Sequence, residues 1–148
     1  MPTLLIVHHT PSPTLQAMFE DVVAGATDEQ IEGVAVARRP ALAATPVDLL
    51  SADAVIVGTP ANIGYMSGAL KHFFDTVYYP CLDATVGLPY GVYVHGNDDT
   101  AGALTAIGTI TGALRWKQVA APLSLVGAPT RDDLEAVREL AATVAVSL

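Results

Sequence analysis

The stretch that decides the fold is AVIVGTPANIGYMSGALKHFFD, residues 54–75, in which a strand, a loop and a helix follow one another. Ala54–Thr59 is a continuous apolar run, which is typical of a strand buried on both faces of a parallel sheet. Ser67 is a preferred N-cap residue, so the pattern predicts a helix from this position onward. That helix buries one stripe of apolar side chains, Leu70, Phe73, Phe74 and Val77. The stretch therefore predicts one strand-loop-helix unit of an α/β protein.

The same alternation of strand and helix patterns extends along the whole chain. Strands joined through helices are parallel, and right-handed crossovers place the helices on both faces of the sheet. No linker, repeat or low-complexity segment interrupts residues 1–148, so we expect one doubly wound α/β domain. The predicted strands are Thr3–His9, Ile31–Ala37, Ala54–Thr59, Gly91–His95 and Gln118–Val126, and the helices begin near Leu15, Val47, Ser67, Thr100 and Thr130.

Composition and charge exclude several classes of protein. Hydrophobic residues make up 51% of the 148 residues and charged residues 15%, which excludes intrinsic disorder. The apolar stretches are too short for a membrane-spanning helix. The net charge of −8 leaves no basic surface for nucleic acid or an anionic membrane. The single cysteine, Cys81, cannot form an internal disulfide, and no signal peptide is visible, so we expect a cytoplasmic location.

Three loops form the expected ligand site, because doubly wound sheets bind ligands at the carboxyl ends of their strands. They are His8–Thr14, Pro60–Met66 and Gly96–Thr100, and all are rich in small, hydroxyl and amide residues. In the first loop, hydroxyl side chains directly precede a helix, where free N–H groups favour an anion. The same hydroxyls also suit plain helix capping, so both roles stay open. The chain contains neither a Gly-Lys-Ser/Thr phosphate loop nor a G-x-G-x-x-G motif.

The second loop and its helix carry the most specific pattern in the chain. The run GTPANIGYMSGALKHFFD, Gly58–Asp75, closely resembles the flavin-contacting loop and following helix of flavodoxin-like NAD(P)H-dependent quinone and FMN reductases, of the tryptophan-repressor-binding-protein type. The matching pattern is G-[ST]-P-x-x-x-G-x-[MP]-[SP]-[GA]-x-[LM]-K-x-[FL]-[FLI]-D. The order of strands, loops and helices extends the resemblance over essentially the whole chain. It implies a flavodoxin-like fold, with five parallel strands in the order 2-1-3-4-5 between two layers of helices.

The resemblance also implies a non-covalent FMN and the residues that hold it. The phosphate is expected in the first loop and the ring against the second loop, with the third loop closing its other side. Flavodoxins usually carry T/S-x-T-G-x-T in the first loop. Here Pro13 replaces the glycine, which removes one N–H donor, and Leu15 replaces the last threonine. The residues assigned in this way are His9, Thr10, Ser12, Pro13, Thr14 and the N–H of Leu15 in the first loop, Pro60, Ala61, Asn62, Ile63 and Gly64 in the second, and His95, Gly96, Asn97 and Thr100 beside the third.

The function that the resemblance implies is an FMN-dependent oxidoreductase. It takes hydride from NAD(P)H and reduces a quinone, a flavin or a similar small-molecule acceptor. The flavin carries the redox chemistry in such proteins, so no catalytic side chain is predicted. The alternatives are a flavodoxin-type one-electron carrier that docks through its acidic surface, and a flavin-free interaction module that keeps the fold. Related reductases imply a homodimer or a homotetramer.

The histidines predict no metal site. His8 and His9 are neighbours in a strand and point to opposite faces, so they cannot bind one ion together. The other two histidines are scattered, and the chain has one cysteine. His95 ends a predicted strand, and it stays open between a contact with the ring and a polar strand end.

Cys81 and the acidic residues of the third loop have plainer explanations. Cys81 has no visible cationic neighbour or helix N-terminus to activate it, which favours a packing role. Asp99 or Thr100 suits the N-cap of the helix that follows.

Overall fold

Strands and helices alternate along the computed structural model, which describes all of residues 1–148. The strands are β1 (Thr3–His8), β2 (Ala35–Pro40), β3 (Ala54–Asn62), β4 (Tyr65–Met66), β5 (Pro89–Gly96), β6 (Lys117–Gln118) and β7 (Leu123–Val126). The helices are α1 (Pro13–Ala26), α2 (Pro46–Leu50), α3 (Gly68–Cys81), α4 (Ala101–Ala113) and α5 (Arg131–Val146). No helix is both long and apolar enough to cross a membrane.

The sheet has the predicted topology. Its neighbours run in the order β2, β1, β3, β5 and β6, and these pairings are parallel. Strand β7 also pairs with β5 in parallel. It pairs with the later part of β5, Tyr93–Gly96, whereas β6 pairs with Pro89 and Tyr90. Taken together, β6 and β7 are the two halves of the predicted fifth strand, which is interrupted around Pro122. The short β4 pairs only with β3, in an antiparallel hairpin. If β4 is left out and β6 and β7 are counted as one strand, the five main strands have the expected order 2-1-3-4-5.

Two apolar layers hold the helices on opposite faces of the sheet. Alternate residues of a strand point to opposite faces, so Leu5 and Val7 of β1 enter the layer beneath α2, α3 and α4. Leu4 and Ile6 of the same strand enter the layer beneath α1 and α5. All four side chains are at most 1% exposed. This continuous burial explains why the strands read as unbroken apolar runs.

Helix starts follow the residues that the sequence indicated. The hydroxyl of Ser67 accepts a hydrogen bond from the N–H of Leu70 and caps α3. Thr130 and Asp133 form a reciprocal capping box at the start of α5. At α4 the backbone cap is Thr100, whose side chain makes no capping bond; Asp99 accepts from the N–H of Ala101 instead.

The predicted second strand, Ile31–Ala37, was placed too early. Strand β2 begins at Ala35, because Gly33 adopts a positive φ of 78° and turns the chain just before it. The strand then continues through Arg38 and Arg39 to Pro40, all three exposed. An edge strand tolerates such residues, since one of its sides is open to solvent.

Candidate functional site

An open cleft of about 250 Å³ lies at the carboxyl edge of the sheet, where the three predicted loops meet. It is lined by Pro11, Ser12, Thr14, Pro60, Ala61, Asn62, His95, Gly96 and Asn97. None of these side chains is an acid, a lysine or an arginine, and His95 is the one titratable group among them. The cleft therefore offers hydroxyls, amides and backbone groups in an almost uncharged setting.

The first wall of the cleft is the segment that enters α1. The hydroxyl of Ser12 lies 3.2 Å from the N–H of Leu15 and accepts its hydrogen bond, which caps the helix. The backbone N–H groups of Thr10 and Ser12 have no hydrogen-bond partner in the chain, and neither has the hydroxyl of Thr14. Capping uses one lone pair of Ser12 and leaves these other donors free. The loop therefore performs the capping role and still keeps donors for an anion.

The second wall is the hairpin of β3 and β4. Asn62 pairs with Tyr65, so Ile63 and Gly64 form a two-residue loop. Both have positive φ, 50° and 74°, as a type I′ turn requires. Ile63 is fully exposed, and a β-branched residue rarely adopts this conformation. The hairpin rests on the start of α4, where a Cβ on Gly102 would lie 1.9 Å from the carbonyl oxygen of Gly64.

The third wall contains His95, which is 8% exposed. Its Nε2 lies 2.8 Å from the carbonyl oxygen of Gly127. A carbonyl only accepts, so Nε2 carries the ring proton in the neutral form. Nδ1 makes no hydrogen bond within the chain and does not belong to the buried unpaired atoms, so it is accessible. Because His95 lines the cleft, this open nitrogen is available to a ligand there.

Eight of the fifteen predicted site residues line this cleft, and the other seven do not. The eight are Ser12, Thr14, Pro60, Ala61, Asn62, His95, Gly96 and Asn97. Of the remaining predicted residues, Pro13 and Leu15 belong to the first turn of α1, and Leu15 is buried in the core. Ile63 and Gly64 form the hairpin tip, and Thr100 is 7% exposed behind the third wall. Pro11 also lines the cleft, although it was not among the predicted site residues.

His9 and Thr10 lie on the other side of the first loop. With His8 they line a separate cleft of about 340 Å³, together with Gln16, Pro40, Ala41, Leu42 and Ala69. The hydroxyl of Thr10 lies 2.7 Å from Nδ1 of His8, whose ring stacks on Phe19. Burial, followed by the charges of His9 and Arg38, lowers the pKa of His8 from its ordinary value. His9 instead holds a buried Nδ1 with no partner.

Cys81 and a larger cleft elsewhere do not offer comparable chemistry. Burial raises the pKa of the Cys81 thiol, and its side chain packs within the layer beneath α3.

A cleft of about 660 Å³ runs between α1 and α5, and it is far larger than the one at the sheet edge. Six of its nine lining residues are charged, and Asp21 already pairs with Arg138 at 2.8 Å. We therefore base the functional assignment on the smaller cleft, where uncharged donors and apolar surface meet.

The sheet order and the loops at its carboxyl edge define a flavodoxin-like fold, which confirms the fold that the resemblance implied. A flavodoxin from the domain Archaea superposes with a TM-score of 0.83 at 18% identity, covering 98% of this chain and 97% of that one. A flavodoxin-like, WrbA-like protein of Agrobacterium tumefaciens gives 0.76 at 20% identity, covering 99% and 96%. The rubredoxin oxygen:oxidoreductase of Desulfovibrio gigas gives 0.80 at 16% identity over 98% of this chain and 35% of that chain.

Similarity in sequence is more limited. A curated flavodoxin of Aquifex aeolicus (strain VF5) is 36% identical over 77 residues. This match spans 52% of the present chain and 40% of that flavodoxin, so less than half of the relative's length is matched. No protein-family model matches the chain.

Proposed function

We propose that the chain binds FMN at the carboxyl edge of its sheet and acts as an oxidoreductase that accepts hydride from NADH or NADPH. It passes the electrons to a quinone, a flavin or another small-molecule acceptor. The observation that carries the proposal is the cleft itself. Residues from all three predicted loops line it, with no acid, lysine or arginine among them.

The first loop fits a phosphate. The free backbone N–H of Ser12 and the free hydroxyl of Thr14 stand at the positive end of the α1 dipole. Pro13 supplies no N–H, so Ser12 and Thr14 hold the phosphate in this proposal. The hydroxyl of Ser12 remains able to donate, because its capping bond uses it as an acceptor.

The other two loops fit the ring. Pro60 and Ala61 give apolar surface, and the side chains of Asn62 and Asn97 make no hydrogen bond within the chain. These amides are free to bind the polar edge of a flavin. A bound flavin supplies the electron chemistry, and the protein sets its position and the charge around it. An uncharged cleft favours transfer of two electrons as hydride, because no carboxylate faces the ring.

The experiment that tests this function has two stages. The purified chain is first titrated with FMN, and binding is followed by the change in flavin fluorescence. The complex is then mixed with NADH and with NADPH without oxygen, and the visible absorbance is recorded. We expect binding, followed by direct reduction in one two-electron transition by at least one nicotinamide.

A flavodoxin-type electron carrier is the second candidate, and the match to the Aquifex aeolicus flavodoxin favours it. The net charge of −8 also suits docking to a basic redox partner. A carrier is identified by two separate one-electron transitions in a dithionite titration and by no reaction with either nicotinamide. A chain that leaves FMN fluorescence unchanged at all concentrations is instead an interaction module that keeps the fold.

The predicted homodimer or homotetramer stays a proposal, and the outer face of α4 supports it. No residue of α4 is charged, and several of its small residues are exposed, including Thr105, Gly108 and Gly112. In a chain with a net charge of −8, a face without charged residues adds no repulsion between two copies.

A further inference from the structure

The single titratable side chain of the cleft is held in one orientation and one tautomer. His95 is nearly buried, and its Nε2–H donates to the carbonyl of Gly127. Gly127 has a φ of 74°, and its own N–H donates to the carbonyl of Gly96 at 3.0 Å. The two bonds join the end of β5 to the loop that follows β7. The ring of His95 therefore cannot turn over without breaking the bond that closes this wall.

The fixed tautomer leaves Nδ1 as the position where a proton is gained or lost. In the neutral ring, Nδ1 is an acceptor without a partner in the chain, on a side chain that lines the cleft. In the protonated ring, Nδ1 becomes a donor and the imidazole gains a positive charge. No acid, lysine or arginine shares the lining, so this proton changes the charge of the cleft lining from zero to plus one.

The charged groups on the surrounding elements are already engaged or lie at the rim. The parts of β3 and β7 that flank β5 at this edge carry none. On the third loop, Asp99 accepts from the N–H of Ala101, and Asp98 is exposed. At the start of α5, Asp133 is held by the N–H of Thr130.

Four further groups complete this set. Beside Asp133, Arg131 and Asp132 are exposed. His8 and His9 belong to the cleft on the other side of the first loop.

We propose that His95 is the proton acceptor of the cleft, taking up one proton at Nδ1 when a bound flavin is reduced by two electrons. This inference rests on the proposed function. A hydride donor of the nicotinamide type, or dithionite in the test, supplies the electrons, and solvent supplies the proton. Nε2 keeps its proton throughout and continues to donate it to the Gly127 carbonyl oxygen. The one bond that forms in the protein is the N–H bond at Nδ1.

The physical reason is reciprocity between two charges at short range. Electron density added to the flavin favours the charged form of a neighbouring imidazole, and the charged imidazole favours the reduced flavin to the same extent. We therefore expect reduction to raise the proton affinity of His95 about tenfold or more, the low end of shifts produced by an adjacent opposite charge.

The test uses the full chain with FMN bound and its histidines labelled with ¹⁵N. The ionisation of each imidazole is followed by NMR between pH 5 and 9, first with oxidised FMN and then after reduction by dithionite without oxygen. We expect the ionisation of His95 to move to higher pH on reduction. The exposed His72 on the outer surface of α3 serves as the internal reference and stays where it was.

A second measurement compares reduction potentials of the wild type, His95→Gln and the control His72→Gln. Glutamine keeps an N–H for the Gly127 carbonyl but has no proton to gain. We expect His95→Gln to have the lower potential, by a gap that widens as the pH falls, while His72→Gln matches the wild type at every pH.

The outcomes separate this inference from the proposed function. If His95 ionises at the same pH in both redox states, the inference is overturned and flavin binding stands. A chain that binds no FMN at any pH overturns the proposed function and this inference together. The NMR result on the wild type decides the matter even where His95→Gln fails to fold.

Discussion

The buried hydroxyl of Tyr93 destabilises the folded protein. Its side chain is 1% exposed, and its hydroxyl has no hydrogen-bond partner. The ring lies over Gly58, where a Cβ would come within 1.9 Å of Cζ. A buried hydroxyl without a partner destabilises a protein by about 1–3 kcal/mol. Gly58 is the first residue of the flavin-loop pattern. Packing against Tyr93 alone already requires a glycine there, whether or not a ligand does.

Replacing Tyr93 by phenylalanine is therefore expected to stabilise the protein by about 1 kcal/mol, because it removes the unpaired hydroxyl and keeps the ring. Urea unfolding measures the change. Tyr90→Phe is the matched control: the hydroxyl of Tyr90 accepts from Thr111 at 3.1 Å, so its loss destabilises by a similar amount. A less stable Tyr93→Phe variant means that a water molecule satisfies the hydroxyl.

The same residue makes stability fall in alkaline solution. Burial raises the pKa of Tyr93 above its ordinary value of 10.0, so the folded state keeps the phenol neutral. The stabilisation is fully present below the pKa of the unfolded tyrosine. It falls above about pH 10, at up to about 1.4 kcal/mol per pH unit, because only the unfolded chain then loses the proton. Unfolding measured at pH 8 and 10.5 should show a smaller loss for Tyr93→Phe than for the wild type. Equal losses would show that Tyr93 ionises in the folded state.

Ser12 allows the phosphate to be tested without damage to the helix. Aspartate is as good an N-cap as serine, so Ser12→Asp keeps α1 while placing a negative charge in the cleft. We expect the affinity for FMN to fall about tenfold or more, and that for riboflavin, which lacks the phosphate, to change little. Isothermal titration of both ligands measures this. Thr130→Asp, the same kind of change at the N-cap of α5, is the control and affects neither. Equal losses for both flavins would place the phosphate elsewhere.

At the scale of an element, the hairpin of β3 and β4 departs from the sequence that its turn prefers. A type I′ turn favours Asn-Gly, and this chain has Ile63-Gly64 with positive φ at both residues. We expect Ile63→Asn to stabilise the protein without ligand by about 1 kcal/mol, the strain of a branched residue in this conformation. The same variant should bind FMN more weakly if Ile63 contacts the ring. Thermal unfolding and FMN titration together check both parts, and unchanged stability would mean that the turn is not strained.

Elements were predictable where short-range chemistry decides them. The caps at Ser67 and Thr130 and the stripe from Leu70 to Val77 depend on neighbours within one or two turns, and the structure confirms them. The start of β2 was not predictable in this way. It depends on the positive φ of Gly33, and no neighbour within one or two turns requires that conformation. The sequence predicts a loop rather than a hairpin at Pro60–Met66, because Ile63-Gly64 lacks the Asn-Gly pair that is typical of a type I′ turn. The predicted strand Gln118–Val126 is interrupted near Pro122, because proline cannot donate to the ladder of the sheet.

At the scale of the molecule, charge is distributed unevenly, and this predicts how copies associate. Each chain has a mass of 15.3 kDa, and we expect sedimentation to give two or four times that value. Thr105→Glu places a charge on the uncharged face of α4 and should reduce the assembly to monomers. Thr143→Glu, the same change on α5, should leave it intact. A monomeric wild type at all concentrations would contradict the proposal.

The position of the site was predictable for the same large-scale reason. Parallel strands bring the ends of β1, β3 and β5 to one edge, so residues far apart in sequence had to meet there. The orientation of single side chains was not predictable. Whether Thr10 faces this cleft or the neighbouring one depends on its bond to His8, and the tautomer of His95 depends on Gly127, 32 residues away.

The broken fifth strand has a consequence for how crowded solutions of the protein behave. A long, regular strand at the border of a sheet invites strands of other molecules to join it and begin aggregation. Here that border consists of two short pieces separated by Val119–Pro122, and the first piece carries Lys117. The opposite border, β2, ends in Arg38, Arg39 and Pro40. One border is thus interrupted and both carry positively charged residues, which disfavours growth of the sheet by addition of further chains.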